Sequence, residues 1–460
     1  MGNPGKIRLN KKGAALITVY MVIAVLLGFG GFVVDVSNSQ NKTAKAFKQQ
    51  IQVINSAEAS LDRALVWMRN YLLLHGTYPP ESEGTNIESE AFPLGCVPPF
   101  CTGRCTVDFS VLASPSGMYR VRSIVTVGTV SQTVINYLQP DNYARYIWFT
   151  DGESYGGTNV WFWDQDHLNG PTHTNGHFNI KGNPVFEGEV RSVDNYIKYF
   201  NNGTNIDSFN LSNPPYDLPD FQDTVTLGSK SIKMPTQALS LRSAASSSGG
   251  LYLTGDTTIV LNSNGTMDLT NNTYCNNCTT TCDSHGRHCQ TTCTHTCPGI
   301  ALPGNGALFV NNGTLTISGT LSGRLTAGAS GDINITNNII YANNPRTNPA
   351  STDTLGLISE GDVMIDSSAP NNLEVDASIM ALNTSFMLED WWTGGAKGTL
   401  TVFGGIIQKQ RGPVGTFSGT TKVSGYSKNY NYDERLLSSP PPFVPTTGDY
   451  ITVLWEEPKV

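Results

Sequence analysis

Six cysteines fall in one short stretch, at Cys275, Cys278, Cys282, Cys289, Cys293 and Cys297, with His285, His288 and His295 among them. The C-x2-C step and the neighbouring imidazoles suit tetrahedral zinc ligation. The same spacing also suits a disulfide-held hairpin. Folding the segment about His285–Gly286 sets Cys278 opposite Cys293 and Cys282 opposite Cys289, with Cys275 and Cys297 one residue out of step. The intervening residues are mostly Asn, Thr, Ser and His, with no aliphatic side chain. Such a segment buries too little apolar area to offset its ordering entropy, so it needs a covalent or metal staple. An exported chain favours disulfides. Both readings stand, and no resident metal is assigned.

Two carboxylates, Asp164 and Asp166 in WFWDQDH, are expected to share one face of a strand, with His167, His173 and His177 following. Cleaving a glycoside needs two carboxylates set across the bond. As turn and strand-edge residues these groups need no catalytic role, and that reading is preferred. Trp391 and Trp392, beside Asp390, are of a type that stacks on sugars, but next to Gly394–Gly395 they read better as packing at a turn. There is no P-loop, G-x-S-x-G or H-E-x-x-H pattern. The chain therefore reads as a non-enzyme, with no catalytic residue and no cofactor.

The elements that would carry these residues follow from composition. Of 460 residues, 14% are charged, 39% are hydrophobic and 46 are glycine. A disordered chain would be more charged and less apolar. The net charge is -8, and four of the basic residues, Lys6, Arg8, Lys11 and Lys12, sit at the extreme N-terminus. An acidic body offers nothing to neutralise a run of phosphates, so nucleic acid is not an expected partner.

Ala14 to Val34 carry no charge. At about 1.5 Å per residue they make roughly 31 Å of helix, enough to cross a bilayer. The anchoring side chains are Leu16, Ile17, Val19, Val22, Ile23, Val25, Leu26, Leu27, Phe32 and Val33. The basic flank precedes the span and Asp35 follows it, which predicts a cytoplasmic N-terminus. A cleaved secretory signal fits less well, because no small-x-small site follows. From Asn38 to Leu74 there is no proline or glycine, and an apolar stripe runs through Phe47, Ile51, Ile54, Ala57, Leu61, Ala64, Leu65, Met68 and Leu72. Gly76, Pro79 and Pro80 end it.

KKGAALITVYMVIAVLL, with the helix ending in NSAEASLDRAL, resembles the N-terminus of PilX-like minor pilins and of K-type pseudopilins of type II secretion. The resemblance implies processing at Gly13–Ala14 by a prepilin peptidase and methylation of Ala14. It also implies insertion in the inner membrane, then assembly with other pilin-like subunits into a periplasm-spanning or cell-surface filament. Major pilins of this kind carry Glu at the fifth mature position, where this chain has Thr18. A Glu there can pair with a neighbour's terminal amine in an apolar core. Its absence points to a tip, priming or rare subunit.

Beyond the helix the chain reads as mainly β. Tyr119–Gln139 alternates around Gly128 as a hairpin or meander, and 143–150 and 160–163 read as buried strands. Residues 75–105 hold Pro79, Pro80, Pro93, Pro98 and Pro99 with Cys96, Cys101 and Cys105, an odd set of thiols. Between 250 and 345 only six residues are charged, and GDINI (331–335) recurs as GDVMI (361–365), GTLTI (313–317) as GTLTV (398–402). These are weak repeats of the kind a β-solenoid makes, and a sandwich is the competing architecture. GPTHTNGHFNIKGNPVFEGEV (170–190), NNLEVDASIMAL (371–382), GTLTVFGGIIQKQRGPVG (398–415) and GYSKNYNYDERL (425–436) resemble an uncharacterised domain that often follows PilX-like N-termini, over most of 140–447.

The expected organisation is a leader (1–13), a membrane and amphipathic helix (14–74), a Pro/Cys-containing linker and meander (75–140), an elongated solenoid body (141–447) with the insertion 275–297, and a tail (448–460). The function this predicts is a minor pilin or pseudopilin of a type IV pilus or type II secretion system. The alternative is a membrane-tethered adhesin or glycan binder, and behind that an exported polysaccharide-cleaving enzyme.

Overall fold

The computed structural model describes residues 11–75, 77–85, 104–112, 117–283, 285, 288–418 and 421–458. The leader residues 1–10, Cys96, Cys101 and Gly286 lie outside the described residues, as do the side chains at Lys11, Lys12 and Ala14 beside the Gly13–Ala14 junction. The protein is mainly β with one long N-terminal helix. The chain divides into two units, residues 1–140 with 448–460, and residues 141–447.

In the first unit, α1 spans Lys11–His75 without interruption. Its two halves meet different environments. Val53, Ala57, Ser60, Ala64 and Met68 are fully buried. Val53, Ala57, Ala64 and Met68 pack with Val107, Phe109, Tyr119, Val121, Val125, Val134 and Leu138. The apolar stripe expected to begin at Phe47 and Ile51 begins later, since those two side chains are 64% and 43% exposed. Small residues at 57, 60 and 64 let the sheet come close to the helix. The buried Ser60 hydroxyl donates to the Ser56 carbonyl one turn back at 2.7 Å, so its polarity is satisfied locally.

The sheet is antiparallel: β1 (Arg104–Val111), β2 (Tyr119–Val127) and β3 (Val130–Asn142), then the strand Thr446–Glu456. Along β2 buried and half-buried residues alternate, as one covered face requires. Gly128, at φ +64°, turns β2 into β3, as the hairpin reading expects. Residues 448–460 were expected as a tail, yet most of them belong to this sheet. Asp449 is ion-paired with Arg69 of α1 at 2.6 Å, and Tyr450 meets Tyr119 edge-on at 5.7 Å. Alternating Tyr450, Thr452 and Leu454 gave a strand signal that a C-terminal position obscured.

The second unit is built on parallel ladders. One column of aligned residues runs Leu251, Leu308, Ala327, Leu357, Ile379, Ile406, Trp148, Thr172, Val190 and Val225. A second runs Ile259, Ile317, Ile335, Ile365 and Leu388. A third runs Leu261, Gly319, Ile339, Val375, Val402, Tyr430, Leu168, Phe186 and Phe221. Apart from Thr172 and Gly319 the columns are apolar, and their buried apolar positions belong to one hydrophobic core. The related motifs GDINI and GDVMI are direct neighbours, with Ile333 beside Val363 and Ile335 beside Ile365.

Strand order departs from chain order at a seam where the end of the body meets its beginning, at Ile406 beside Trp148 and at Tyr430 beside Leu168. The strand Ala396–Gln410 pairs in parallel with β4 (Trp148–Gly152), so the ladder passes from residue 408 to residue 150. Residues 228–250, including α2 (Leu239–Ala245), connect the last strand of the ladder, Val225–Leu227, to its first, Leu251–Thr254. The seam needs Gly404 and Gly405. A Cβ on either would stand 2.1 Å from a carbonyl oxygen, of Ala377 and of Tyr146 respectively, and Gly404 has φ +147°. Before Gly404 the strand pairs with Thr421–Tyr432, and after Gly405 with β4.

Candidate functional site

Three features of the sequence are candidates for function: the apolar helix, the cysteine segment and the carboxylate–histidine run. The first is an uncovered surface. Leu16, Ile17, Val19, Val22, Ile23, Val25, Leu26, Leu27, Phe32 and Val33 are 45–72% exposed. An 18-residue stretch of α1 has a mean hydropathy of 2.4, and none of it is buried by the rest of the described chain. It is long and apolar enough to cross a membrane.

The cysteine segment is a β-hairpin, Asn277–Cys282 against Cys289–Thr294. Three nested disulfides close it: Cys275–Cys297, Cys278–Cys293 and Cys282–Cys289. The outer bridge lies at the end of the hairpin, where Cys297 sits on the strand Thr296–Ala301 beside Leu269. Cys275 is fully buried in the core there, whereas the strand Cys289–Thr294 is exposed throughout. Among the described residues no group of three or more His, Cys, Asp or Glu side chains is arranged to hold a metal ion.

The carboxylate–histidine run does not assemble. Asp164 and Asp166 lie in the turn after the strand Phe162–Trp163, and so share no strand face. The turn follows from the next ladder strand, His167–Leu168, which leaves too few residues to continue the first. Asp164 accepts from the Asn183 amide at 2.7 Å. His167 pairs with Glu187 at 2.7 Å, and His177 with Asp194 at 2.9 Å. His173 is buried, stacks on Phe149 at 5.0 Å, and burial lowers its pKa.

Asp166 instead belongs to a buried charge cluster that sequence reasoning missed. Arg411, 1% exposed, reaches Glu153 at 3.0 Å and Asp166 at 3.5 Å. Lys428 contacts Asp166 at 3.0 Å, and burial pulls its ammonium below the usual lysine value against the attraction of that carboxylate. Glu153 also accepts from Trp148 Nε1 at 3.1 Å and Thr150 Oγ1 at 2.5 Å. The guanidinium lies 3.8 Å from the Phe162 ring centre. Buried ions survive when each finds partners of opposite sign, and here every one does.

Above this cluster opens a cavity of about 660 Å³. Its walls include Tyr155, Trp161, Trp163, Trp391 and Phe417, while Trp392, 61% exposed, is not part of them. Trp163 and Phe417 are 4.5 Å apart, and Tyr155 meets Trp391 edge-on at 6.2 Å. Gln408 is fully buried on the wall, its Oε1 accepting from the amides of Phe386 and Gly412, both at 2.9 Å. The residues come from three separated segments, and only Trp391 carried a signal in the sequence.

A family profile described as a domain of unknown function (DUF4900) matches residues 105–194. No curated protein matches the chain. Among solved structures, the crystal structure of the competence-associated pilin ComZ from Thermus thermophilus is similar at 11% identity, over 89% of this chain and 97% of that one. The TM-score is 0.30, a superposition too loose to define a shared fold.

Proposed function

We propose that this chain is a non-enzymatic, pilin-like subunit. The apolar half of α1 inserts it in a bacterial inner membrane with the N-terminus in the cytoplasm. A prepilin peptidase cuts between Gly13 and Ala14, Ala14 is methylated, and the subunit joins other pilin-like subunits in a type IV pilus or type II secretion pseudopilus. Its body, whose stacked parallel ladders are read as the rungs of a β-solenoid, is carried outside.

The observation that carries this reading is the division of α1. One continuous helix buries its second half against an antiparallel sheet and leaves its first half apolar and bare. Ten such side chains, at roughly 1.5–3 kcal/mol each for full burial, represent a driving force on the order of 15–30 kcal/mol toward lipid or other apolar helices. A filament core made of such helices and a bilayer are two surroundings that meet this demand. The disulfides of the body fit an oxidising compartment outside the cytoplasm. Thr18 favours a tip or rare position, since no carboxylate stands there to neutralise a neighbour's terminal amine.

Shearing surface filaments from cells and probing them for this chain tests the reading. Recovery with the filament fraction, lost when the assembly ATPase is deleted, is the expected result. Recovery only with membranes would exclude a surface pilus, and if the chain there also forms no cross-link to other pilin-like subunits, a membrane-tethered protein remains and the pilin reading ends.

A further inference from the structure

We propose that the aromatic cavity of the second unit binds a saccharide, holding the hexose rings of an oligosaccharide against Trp161 and Trp391. This goes beyond the pilin reading and does not rest on it, because every residue of the site lies within 141–447.

The walls argue for a ligand with flat apolar faces. At about 660 Å³ the cavity falls within the roughly 300–1,000 Å³ of small-ligand sites. Its indole and phenyl faces carry the negative lobe of the ring quadrupole, which attracts the slightly positive C–H groups on one face of a pyranose. Trp161 and Trp391 are each only partly covered by protein, so ring surface is open to a ligand.

The polar groups argue for a ligand rich in hydroxyls. Gln408 Nε2 and Trp391 Nε1 are buried donors without a partner. The two backbone amides held by Gln408 Oε1 fix the orientation of its amide, so the NH₂ group cannot exchange places with the oxygen. A buried donor left unpaired costs about 1–3 kcal/mol. The Gln408 and Trp391 donors are both enclosed by protein, so the groups that meet a ligand are those open on the lining, Thr158, Asn159, Thr416 and Lys181, a set that pairs with the hydroxyls of a sugar.

The charges argue against a nucleic acid, the other ligand that stacks on aromatic walls. Binding a strand requires cations that track its phosphates. Arg411 and Lys428 are already committed to Glu153 and Asp166. Among the described residues lining the cavity, Lys181 is the one cation without a carboxylate partner, and its ammonium lies 4.6 Å from the Phe200 ring centre. A neutral or singly charged glycan fits this balance.

The test uses the full chain in a zwitterionic detergent that has no sugar headgroup. A panel of neutral and uronate-containing hexose oligosaccharides is screened by tryptophan fluorescence, and the best binder is titrated calorimetrically. Trp161→Ala and Trp391→Ala should each weaken binding at least about tenfold. Trp391→Phe, which keeps a ring and removes only the donor, should weaken it less. Melting temperatures of the variants identify any that fail to fold, and Trp161→Ala, altered at a partly exposed position, stands in if Trp391→Ala does. No oligosaccharide binding at millimolar concentration would overturn the proposal. So would binding that both variants leave unchanged. Quenching by a short single-stranded oligonucleotide, abolished by the same variants, would assign the cavity to nucleic acid instead.

Discussion

Arg411 and Glu153 are separated by 258 positions in the chain, and their guanidinium and carboxylate groups are 3.0 Å apart. The pair stands at the seam where Ala396–Gln410 meets β4. Arg411 also donates from its backbone to the Gly152 carbonyl at 3.0 Å. The ladder is therefore closed at this point by one residue using both its main chain and its side chain. Since neither charge reaches solvent, each depends on the other.

Truncating one partner exposes that dependence. Arg411→Met leaves Glu153 buried beside Trp148 and Thr150 without its paired guanidinium, the Lys428 ammonium being held on Asp166, and should cost about 3–5 kcal/mol of unfolding free energy. Arg411→Met combined with Glu153→Gln should recover a large part of the loss, because no uncompensated ion remains at Glu153. Denaturant unfolding of the detergent-solubilised protein measures both. A single variant within about 1 kcal/mol of the parent would show that the pair does not hold the seam.

The nested disulfides should contribute unequally. Replacing Cys275 and Cys297 by Ser opens the end of the hairpin that is tied to the core and leaves a polar side chain where Cys275 is fully buried. A loss of about 2–4 kcal/mol is expected. Replacing Cys282 and Cys289 frees a loop of sequence separation 7 that the other bridges still enclose, in an exposed segment. That change should cost less than about 1.5 kcal/mol. Equal shifts in melting temperature would contradict the distinction, and six free thiols by intact mass would remove its basis.

Asp376 gives the second unit a pH dependence of definite sign. It is fully buried, and burial raises its carboxyl to about 6, against the opposing pull of Arg346 at 3.3 Å. The unfolded chain titrates near 3.9. The neutral acid is thus the form the fold prefers, and its stabilisation is complete below about pH 4 and lost as pH rises through about 6. Asp376→Asn removes that titration. Relative to the parent, the variant should gain on the order of 2–3 kcal/mol between pH 4 and pH 7. Parallel stability curves for the two proteins would refute the assignment.

Much of this was legible in the sequence because it is written in local periodicity. An uncharged run of helical length, the proline-free segment after it and the opposed cysteines each specify their geometry through near neighbours. The GDINI and GDVMI repeats likewise stack beside one another. The seam was not legible, because pairing of residue 406 with residue 148 joins strands whose local patterns favour no particular neighbour. Nor was the charge cluster, since Asp166 reads from its surroundings as a strand residue and its partners Arg411 and Lys428 come from the far end of the body. The cavity combines both difficulties. Trp391 stood out beside a glycine pair, but Gln408 is an ordinary polar residue until two backbone amides fix its amide.

What becomes of the N-terminus separates a pilin-like subunit from a secreted or tethered protein, and top-down mass spectrometry of the protein isolated from its own cells reads this directly. A chain lacking its first 13 residues and beginning at N-methylated Ala14 is the predicted result. A chain beginning near Asp35 would mean a cleaved secretory signal, and one retaining Met1 would mean a simple membrane tether; either would contradict a pilin-like subunit.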